Sequence, residues 1–243
     1  MYQALKGRLS TYPIPEIPLA QAQGKLLLDI GCNWGRWCIA ASRRGYIPVG
    51  IDPSFEAVRA AYRVADQLGV ESAFVVGDAR HLPFASRSFD VVFSYSVIQH
   101  FSLPDASKTV SEAARAVRED GTVKIELLNR YGARSAWNQA RRRFREPRAF
   151  EVRYHSPAEI EKWFRTEFGQ VTLEADAFFS ANAQEADISM LPAHFRAVVQ
   201  TSEVLKRASR SYPGLVRLAD SIFVTAKAPL SPPQVAPAGL RRE

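Results

Sequence analysis

A strand-turn-helix pattern near the start of the chain constrains its fold more than any other feature. Residues 26–30 form an apolar run of strand length, and residues 36–44 have helical character. The turn between them holds Gly31 and Gly35, with Asn33 midway. Because glycine lacks a Cβ and asparagine tolerates positive φ, this turn is suited to close approach of a ligand. Parallel sheets use such units to present a turn to a nucleotide.

Strand and helix patterns alternate along the rest of the chain, without an internal repeat. The predicted strands lie at 26–30, 49–52, 73–77, 90–93, 122–128, 170–175 and 221–226. The predicted helices lie at 36–44, 54–68, 105–118, 134–148, 156–168 and 191–209. This order predicts an α/β fold with a doubly wound, mostly parallel, Rossmann-like seven-stranded sheet. Helices are expected on both faces, with a helical insertion before the last strand.

Prolines mark both ends of the chain. Pro13, Pro15 and Pro18 predict an extended N-terminal arm over 1–24. Four further prolines predict a disordered tail over 228–243. The residues between these ends are of a size for one large domain.

Positive charge is concentrated in one segment. The chain carries a net charge of +7, and residues 130–153 alone hold eight arginines against two glutamates. The remainder is therefore close to neutral, which argues against a general attraction of the fold to nucleic acid. A solvated face, an anionic small molecule and a lipid surface stay open as explanations of this segment.

Membrane, secreted and metal-binding classes find no support in the sequence. No apolar run reaches the length of a membrane span, and residues 1–9 lack a signal-peptide block, so a cytoplasmic location is expected. Cys32 and Cys38 flank the turn on different helical faces and are predicted to be packing thiols. The four histidines are scattered without zinc-site spacing, so no metal is expected.

Four motifs in order resemble the class I S-adenosylmethionine-dependent methyltransferases that act on small molecules. Residues 28–35 resemble the first motif of that family, and 50–53 the acidic end of its second strand. Residues 76–84 are similar to the next motif, and 88–94 to the fourth strand. The resemblance extends over about 25–227 and implies a methyltransferase domain there, with S-adenosyl-L-methionine as cofactor.

The resemblance implies contacts with each part of that cofactor. The backbone between Gly31 and Gly35 would pass the methionine part, where a helix N-terminus favours its carboxylate. Asp52 would accept both ribose hydroxyls, Asp78 the adenine amine, and the Ala79 N–H would meet a ring nitrogen. The predicted cofactor-binding residues are Asp29, Gly31, Asn33, Gly35, Asp52, Asp78, Ala79 and Ser94. Asn33 departs from the family, which usually has glycine at that position.

His100 is the predicted catalytic residue, because it follows the fourth strand, where substrate and methyl group meet in the resembled family. It could remove a proton from a hydroxyl or phenol, or it could only shape the pocket. Tyr154 and His155 are secondary candidates. The basic helical segment 130–155 and the helical insertion 177–215 are expected to form the acceptor side.

The resulting hypothesis is methyl transfer to a small-molecule acceptor, with oxygen as the favoured atom and an anionic acceptor as one option. A lipid or quinone methyltransferase at the membrane surface is the alternative, so peripheral membrane contact is left open. A nucleic-acid enzyme is disfavoured, because residues 93–96 lack the Asp/Asn-Pro-Pro-aromatic tetrad of amino-directed enzymes. A dinucleotide dehydrogenase would need a small residue where Arg36 stands. No obligate protein partner is inferred.

Overall fold

The computed structural model describes residues 12–148, 150–179 and 183–230. The strands are β1 (Leu26–Ile30), β2 (Ile47–Asp52), β3 (Ala73–Val76), β4 (Phe89–Ser94), β5 (Val117–Leu128), β6 (Phe168–Ala177) and β7 (Ser221–Pro229). The helices are α1 (Arg36–Ser42), α2 (Phe55–Gln67), α3 (Leu103–Ala116), α4 (Ala133–Arg141), α5 (Pro157–Phe164) and α6 (Ala193–Ser211).

The strands form one seven-stranded sheet in the order β3-β2-β1-β4-β5-β7-β6. The first five strands pair in parallel, and β7 runs antiparallel between β5 and β6. Neighbouring residues of β1 face opposite sides: Leu27 packs with Trp37 of α1, and Leu28 shares a core cluster with Val110 of α3. The predicted doubly wound, mostly parallel fold is therefore confirmed. Ligands of such sheets bind at the carboxyl ends of the strands, near the switch between β1 and β4.

Serine caps begin three of the helices, at residues 54, 102 and 156; the sequence predicts those at 102 and 156 from their capping patterns. Ser54 Oγ accepts the Ala57 N–H at the start of α2. Ser156 Oγ accepts the Glu159 N–H, while the Glu159 carboxylate accepts the Ser156 N–H, which completes a capping box. These caps fix where the helices leave the carboxyl edge of the sheet.

The prediction of a long basic helix is wrong beyond Arg141. Helix α4 ends there, because Arg143 and Phe144 adopt positive φ of 51° and 55°. Residues 145–148 and 151–154 have no regular structure, so 130–155 is a short helix followed by an irregular segment. The large apolar side chains of the predicted helix do not pack in the core either, since Trp137 is 64% exposed and Phe144 is 75% exposed.

Other predicted boundaries shift by a few residues. The helix predicted to run to 168 ends at Phe164, and Phe168 is instead a buried residue of β6. Gly121, which directly precedes the predicted strand 122–128, lies inside β5. The additional residues at the start of β5 are accommodated by a bulge in its pairing with β4. The helical insertion continues past 215 as a 3₁₀ helix that ends at Leu218.

The two predicted terminal segments are partly within the described residues. The described part of the arm packs on the domain: Ile17 is 1% exposed, and the Ala22 N–H donates to the Arg44 carbonyl. Strand β7 reaches Pro229, so it includes the first two residues of the predicted tail. Residues 1–11 and 231–243 lie outside the described ranges.

Candidate active site

The glycine turn has the backbone conformation that its residue types favour. Gly31, Asn33 and Gly35 all have positive φ, at 75°, 47° and 83°. A Cβ added to Gly31 would lie 2.2 Å from a methyl carbon of Val97. Glycine is therefore required there by its dihedral and by the close approach of the loop that follows β4. Asparagine meets the dihedral requirement at position 33, where its side chain is exposed.

Asp52 lies at the end of β2 and is bound directly to this turn. Its Oδ2 accepts the Asn33 backbone N–H at 3.0 Å, and its Oδ1 accepts the Ser54 N–H at 2.9 Å. A carboxylate has about four lone-pair sites, so each oxygen keeps acceptor capacity for a further donor. The half-buried side chain is thus held beside the turn with acceptor capacity left, which is what the predicted contact with the ribose hydroxyls requires.

Asp78, after β3, is already engaged by Arg80. The Arg80 Nε lies 3.0 Å from both carboxylate oxygens, and its terminal nitrogen lies 2.7 Å from Oδ2. These hydrogen bonds lower the pKa of Asp78 to about 2. Arg80 also reaches Asp105 of α3 at 3.1 Å. An adenine amine at Asp78 must therefore share the carboxylate with Arg80 or displace it, a competition that the sequence did not reveal.

Three of the predicted cofactor-binding residues, Asp29, Ala79 and Ser94, are buried. Burial raises the pKa of Asp29 to about 7; its Oδ2 accepts the Cys38 thiol at 3.4 Å, and its Oδ1 has no hydrogen-bond partner among the described residues. Ser94 is fully buried and donates to the Ile30 carbonyl at 3.0 Å, which ties β4 to β1. Ala79 is 7% exposed. Direct cofactor contacts by these three residues stay predictions.

The two cysteines are free and buried, as predicted. Burial raises the pKa of both thiols, so neither is a reactive thiolate.

His100 lies on a short 3₁₀ helix, Ile98–His100, directly after Val97. Its Nδ1 is 2.8 Å from the Phe150 carbonyl oxygen, and its ring stacks on the Phe150 ring with centroids 4.3 Å apart. Because a carbonyl can only accept, Nδ1 carries the proton and Nε2 is the basic nitrogen of the neutral ring. The Arg153 guanidinium donates to the His100 carbonyl at 2.8 Å. The segment after α4 therefore fixes both the tautomer and the orientation of His100.

Glu126 in β5 is a buried acid that the sequence analysis did not single out. Its Oε2 accepts the N–H and hydroxyl of Ser96, at 2.8 Å and 3.0 Å, just past the end of β4. Its Oε1 has no hydrogen-bond partner among the described residues. Burial, and secondarily the charge of Asp176, raise the pKa of Glu126 to about 8. The signal in the sequence was a glutamate inside the apolar run 123–128.

Arg36 joins three distant parts of the chain at the turn. Its guanidinium pairs with the fully buried Asp187 of the insertion at 2.9 Å, and its Nε donates to the Pro13 carbonyl at 2.9 Å. The arm and the insertion are therefore anchored at the residue that directly follows Gly35. Arg36 was noted in the sequence only because it breaks a dehydrogenase pattern.

Two kinds of feature, a membrane-spanning helix and a group of metal ligands, are absent from the described ranges. No helix in them combines the length and the apolarity that crossing a bilayer requires. No three His, Cys, Asp or Glu side chains in them are grouped to hold a metal ion.

Residues 27–121, which contain the turn and all three strand-end carboxylates, match a family model described as a methyltransferase domain. The chain is 32% identical over 110 residues to a ubiquinone biosynthesis O-methyltransferase of Salmonella paratyphi A, a match that covers 45% of each protein. It is 38% identical over 106 residues to the uncharacterized methyltransferase YcgJ of Bacillus subtilis, covering 43% of this chain and 40% of that protein. The crystal structure of YcgJ aligns with a TM-score of 0.53 and 24% identity, over 86% of this chain and 94% of that one.

The fold and the turn define a Rossmann-like α/β protein that presents carboxylates at the ends of its first three strands. The methyltransferase-domain match over residues 27–121 and the similarity to named methyltransferases support a class I S-adenosylmethionine-dependent methyltransferase. The chain spans less than half the length of the relatives named here by sequence. The family model covers the predicted cofactor-binding residues, and the chain from residue 122 onward, which includes most of the predicted acceptor side, lies outside the match.

Proposed function

We propose that this chain transfers the methyl group of S-adenosylmethionine to an oxygen atom of a small-molecule acceptor. The observation that carries the proposal is the Asp52 carboxylate, held beside the glycine turn by the Asn33 N–H at 3.0 Å, within the matched segment. The cofactor supplies a methyl group activated by its sulfonium charge. The protein contributes by holding the acceptor in line with that group.

The residues of the turn fit the cofactor in the way expected for the family. Asp52 has acceptor capacity left for the two ribose hydroxyls, and the positive-φ turn leaves its backbone open to the methionine part. Asp78 binds the adenine amine while sharing its charge with Arg80. Asp29 and Ser94 stabilise the elements that flank the turn through their hydrogen bonds with the Cys38 thiol and the Ile30 carbonyl.

His100 acts as general base when the acceptor hydroxyl arrives protonated. Its Nε2 takes the proton, while the Nδ1–H stays bonded to the Phe150 carbonyl and stabilises the imidazolium that forms. An acceptor that arrives ionised needs no base, and His100 then only shapes the pocket.

Exposed aromatic side chains beside the arginines favour a second candidate, a lipid or quinone methyltransferase at a membrane surface. Trp137 and Phe144 are largely exposed next to Arg141 and Arg145, a combination typical of interfacial segments. The similarity to a ubiquinone biosynthesis O-methyltransferase supports the same candidate.

Two experiments test the proposal. Calorimetric titration with S-adenosylmethionine should give saturable binding of one cofactor per chain; no binding would overturn it. A screen of phenols and hydroxy acids with methyl-labelled cofactor should transfer label to oxygen. Amines are included in the same screen, and label on nitrogen or carbon with none on oxygen would overturn the assignment to oxygen but not the assignment of the cofactor.

A further inference from the structure

A cavity of about 1050 Å³ lies between α4, residues 142–147 and 153–155, the N-terminal end of α3 and one face of α5. None of its lining residues belongs to the glycine turn or to the ends of β1, β2 and β3. We call it the basic cavity, since its cationic lining residues are Arg130, Arg142, Arg145, Arg153 and Lys162. Its volume is at the upper end for small-molecule sites, so it has room for a ligand larger than a single ring.

The basic cavity keeps positive charge after its internal ion pairs are counted. Arg145 pairs with Glu151 at 2.6 Å, and Arg130 lies 3.5 Å from Glu159. Arg142 and Lys162 have no carboxylate within ion-pair distance among the described residues; the Arg142 guanidinium donates only to a backbone carbonyl, at 3.0 Å. The cavity therefore offers uncompensated cations to a ligand.

Aromatic rings form the walls between these cations. Tyr131 and Phe144 line the cavity although they are 58% and 75% exposed, and Tyr154 and Trp163 complete the apolar surface. The Arg142 guanidinium lies over the Tyr154 ring, 5.3 Å from its centroid. Exposed aromatics beside unpaired cations are suited to a flat apolar body that carries an acidic group.

The wall of the basic cavity is attached to the predicted catalytic histidine. Arg153 lines the cavity, and it also donates its backbone N–H to the Gln99 carbonyl and its guanidinium to the His100 carbonyl, both at 2.8 Å. Phe150, three residues earlier, stacks on His100. A ligand in the cavity thus lies beside the loop that carries His100, although the imidazole is not among the lining residues.

We infer that the basic cavity binds the acceptor, and that the acceptor is an organic anion with an aromatic body and a carboxylate, sulfonate or phosphate group. The identification of this ligand as the methyl acceptor rests on the proposed function, whereas the binding of an aromatic anion does not. The concave shape favours a small molecule over a membrane, and Glu146 and Glu159 in the lining oppose an anionic bilayer.

Fluorescence titration with anilinonaphthalene sulfonate, an aromatic anion, tests the inference. One saturable site is expected, with S-adenosylhomocysteine unable to displace the probe because the cavity shares no residue with the turn. The double variant Arg142→Gln/Lys162→Gln should weaken probe binding about tenfold or more, since each cation makes a charge-assisted contact. Lys162→Gln alone should also weaken probe binding. This single variant controls for the possibility that the double variant distorts the wall of the cavity.

Matched controls separate charge recognition from apolar binding. Arg134→Gln removes an exposed arginine of α4 that does not line the cavity, and should leave probe binding unchanged. Phenyl naphthylamine, the uncharged relative of the probe, should bind the wild type and the double variant equally. Equal sulfonate affinity in the wild type and the double variant, or displacement by S-adenosylhomocysteine, would overturn the inference.

Co-sedimentation with phosphatidylglycerol vesicles distinguishes the membrane explanation. Loss of sedimentation in the double variant, with unchanged probe binding, would show that these cations bind a bilayer and would refute the cavity. Failure of the proposed function appears elsewhere: a chain that does not bind S-adenosylmethionine but binds the probe through Arg142 and Lys162 keeps the anion site and loses the methyl transfer.

Discussion

At the scale of single residues, Asp52 carries the proposed cofactor site. Asp52→Ala removes the proposed acceptor of two ribose hydroxyls. The charge-assisted bonds lost are worth about 1.5 to 3 kcal/mol, so S-adenosylmethionine affinity should fall roughly tenfold to more than a hundredfold. Calorimetry measures the loss. Asp66→Ala, an exposed acid of α2, is the control and should bind as the wild type does. Unchanged affinity in Asp52→Ala would rule out the ribose role.

Asp29 makes folding depend on pH in an unusual direction. Its pKa is raised from 3.8 to about 7 by burial, so between these values the folded chain holds a proton that the unfolded chain has released. The associated stability is complete below about pH 4, falls as pH rises, and is lost above about pH 7, with a slope of at most about 1.4 kcal/mol per pH unit.

Asp29→Asn should remove this contribution, because the amide oxygen can still accept the Cys38 thiol and carries no charge. Urea unfolding at pH 5 and pH 8 should show a smaller loss of stability with rising pH in the variant than in the wild type. Other titrating groups are common to both proteins and cancel in the comparison. An identical pH dependence would mean that Asp29 is ionised in the folded chain throughout.

At the scale of elements, the irregular segment after α4 orients His100. Replacement of His100 with Asn should lower kcat by about 10² to 10⁴ for a phenolic or alcoholic acceptor, while cofactor affinity stays unchanged. Steady-state kinetics at saturating acceptor measures kcat, and calorimetry measures the cofactor affinity. A variant with normal kcat and a raised KM would assign His100 to the shape of the pocket instead.

The element boundaries differ from the sequence predictions for identifiable reasons. The apolar strands and the serine-capped helices were predictable because their signals are local. The end of α4 was not, since no glycine or proline interrupts 133–146 and the break occurs at Arg143 and Phe144. Phe168 has helical spacing from Phe164 but lies in β6, because tertiary pairing with β7 overrides the periodicity.

At the scale of the whole molecule, the pair of Arg36 and Asp187 holds the insertion against the glycine turn. Asp187→Asn should destabilise the chain on the order of 3 kcal/mol, because it removes the negative charge from the buried ion pair with Arg36. Hydrogen exchange should accelerate in Glu185–Met190 before the sheet is affected. Glu161→Gln breaks an exposed pair with Arg165 and should change stability by less than about 1 kcal/mol. Unchanged exchange in the 3₁₀ helix would show that other contacts anchor the insertion.

The sequence by itself determined the sheet, the glycine turn and the acids at the strand ends, because each depends on residues that are close together in the chain. An apolar run predicts a strand, glycine or asparagine after it predicts a turn with positive φ, and a carboxylate at the end of a run predicts an acid at the edge of the sheet. Only the tertiary structure decided what meets those acids and what surrounds the acceptor. Arg80 engages Asp78, Phe150 orients His100 across 50 residues, and Arg36 finds Asp187 across 151. Such contacts depend on how the elements pack. The spacing of residues along the chain does not indicate which side chain a distant residue will contact.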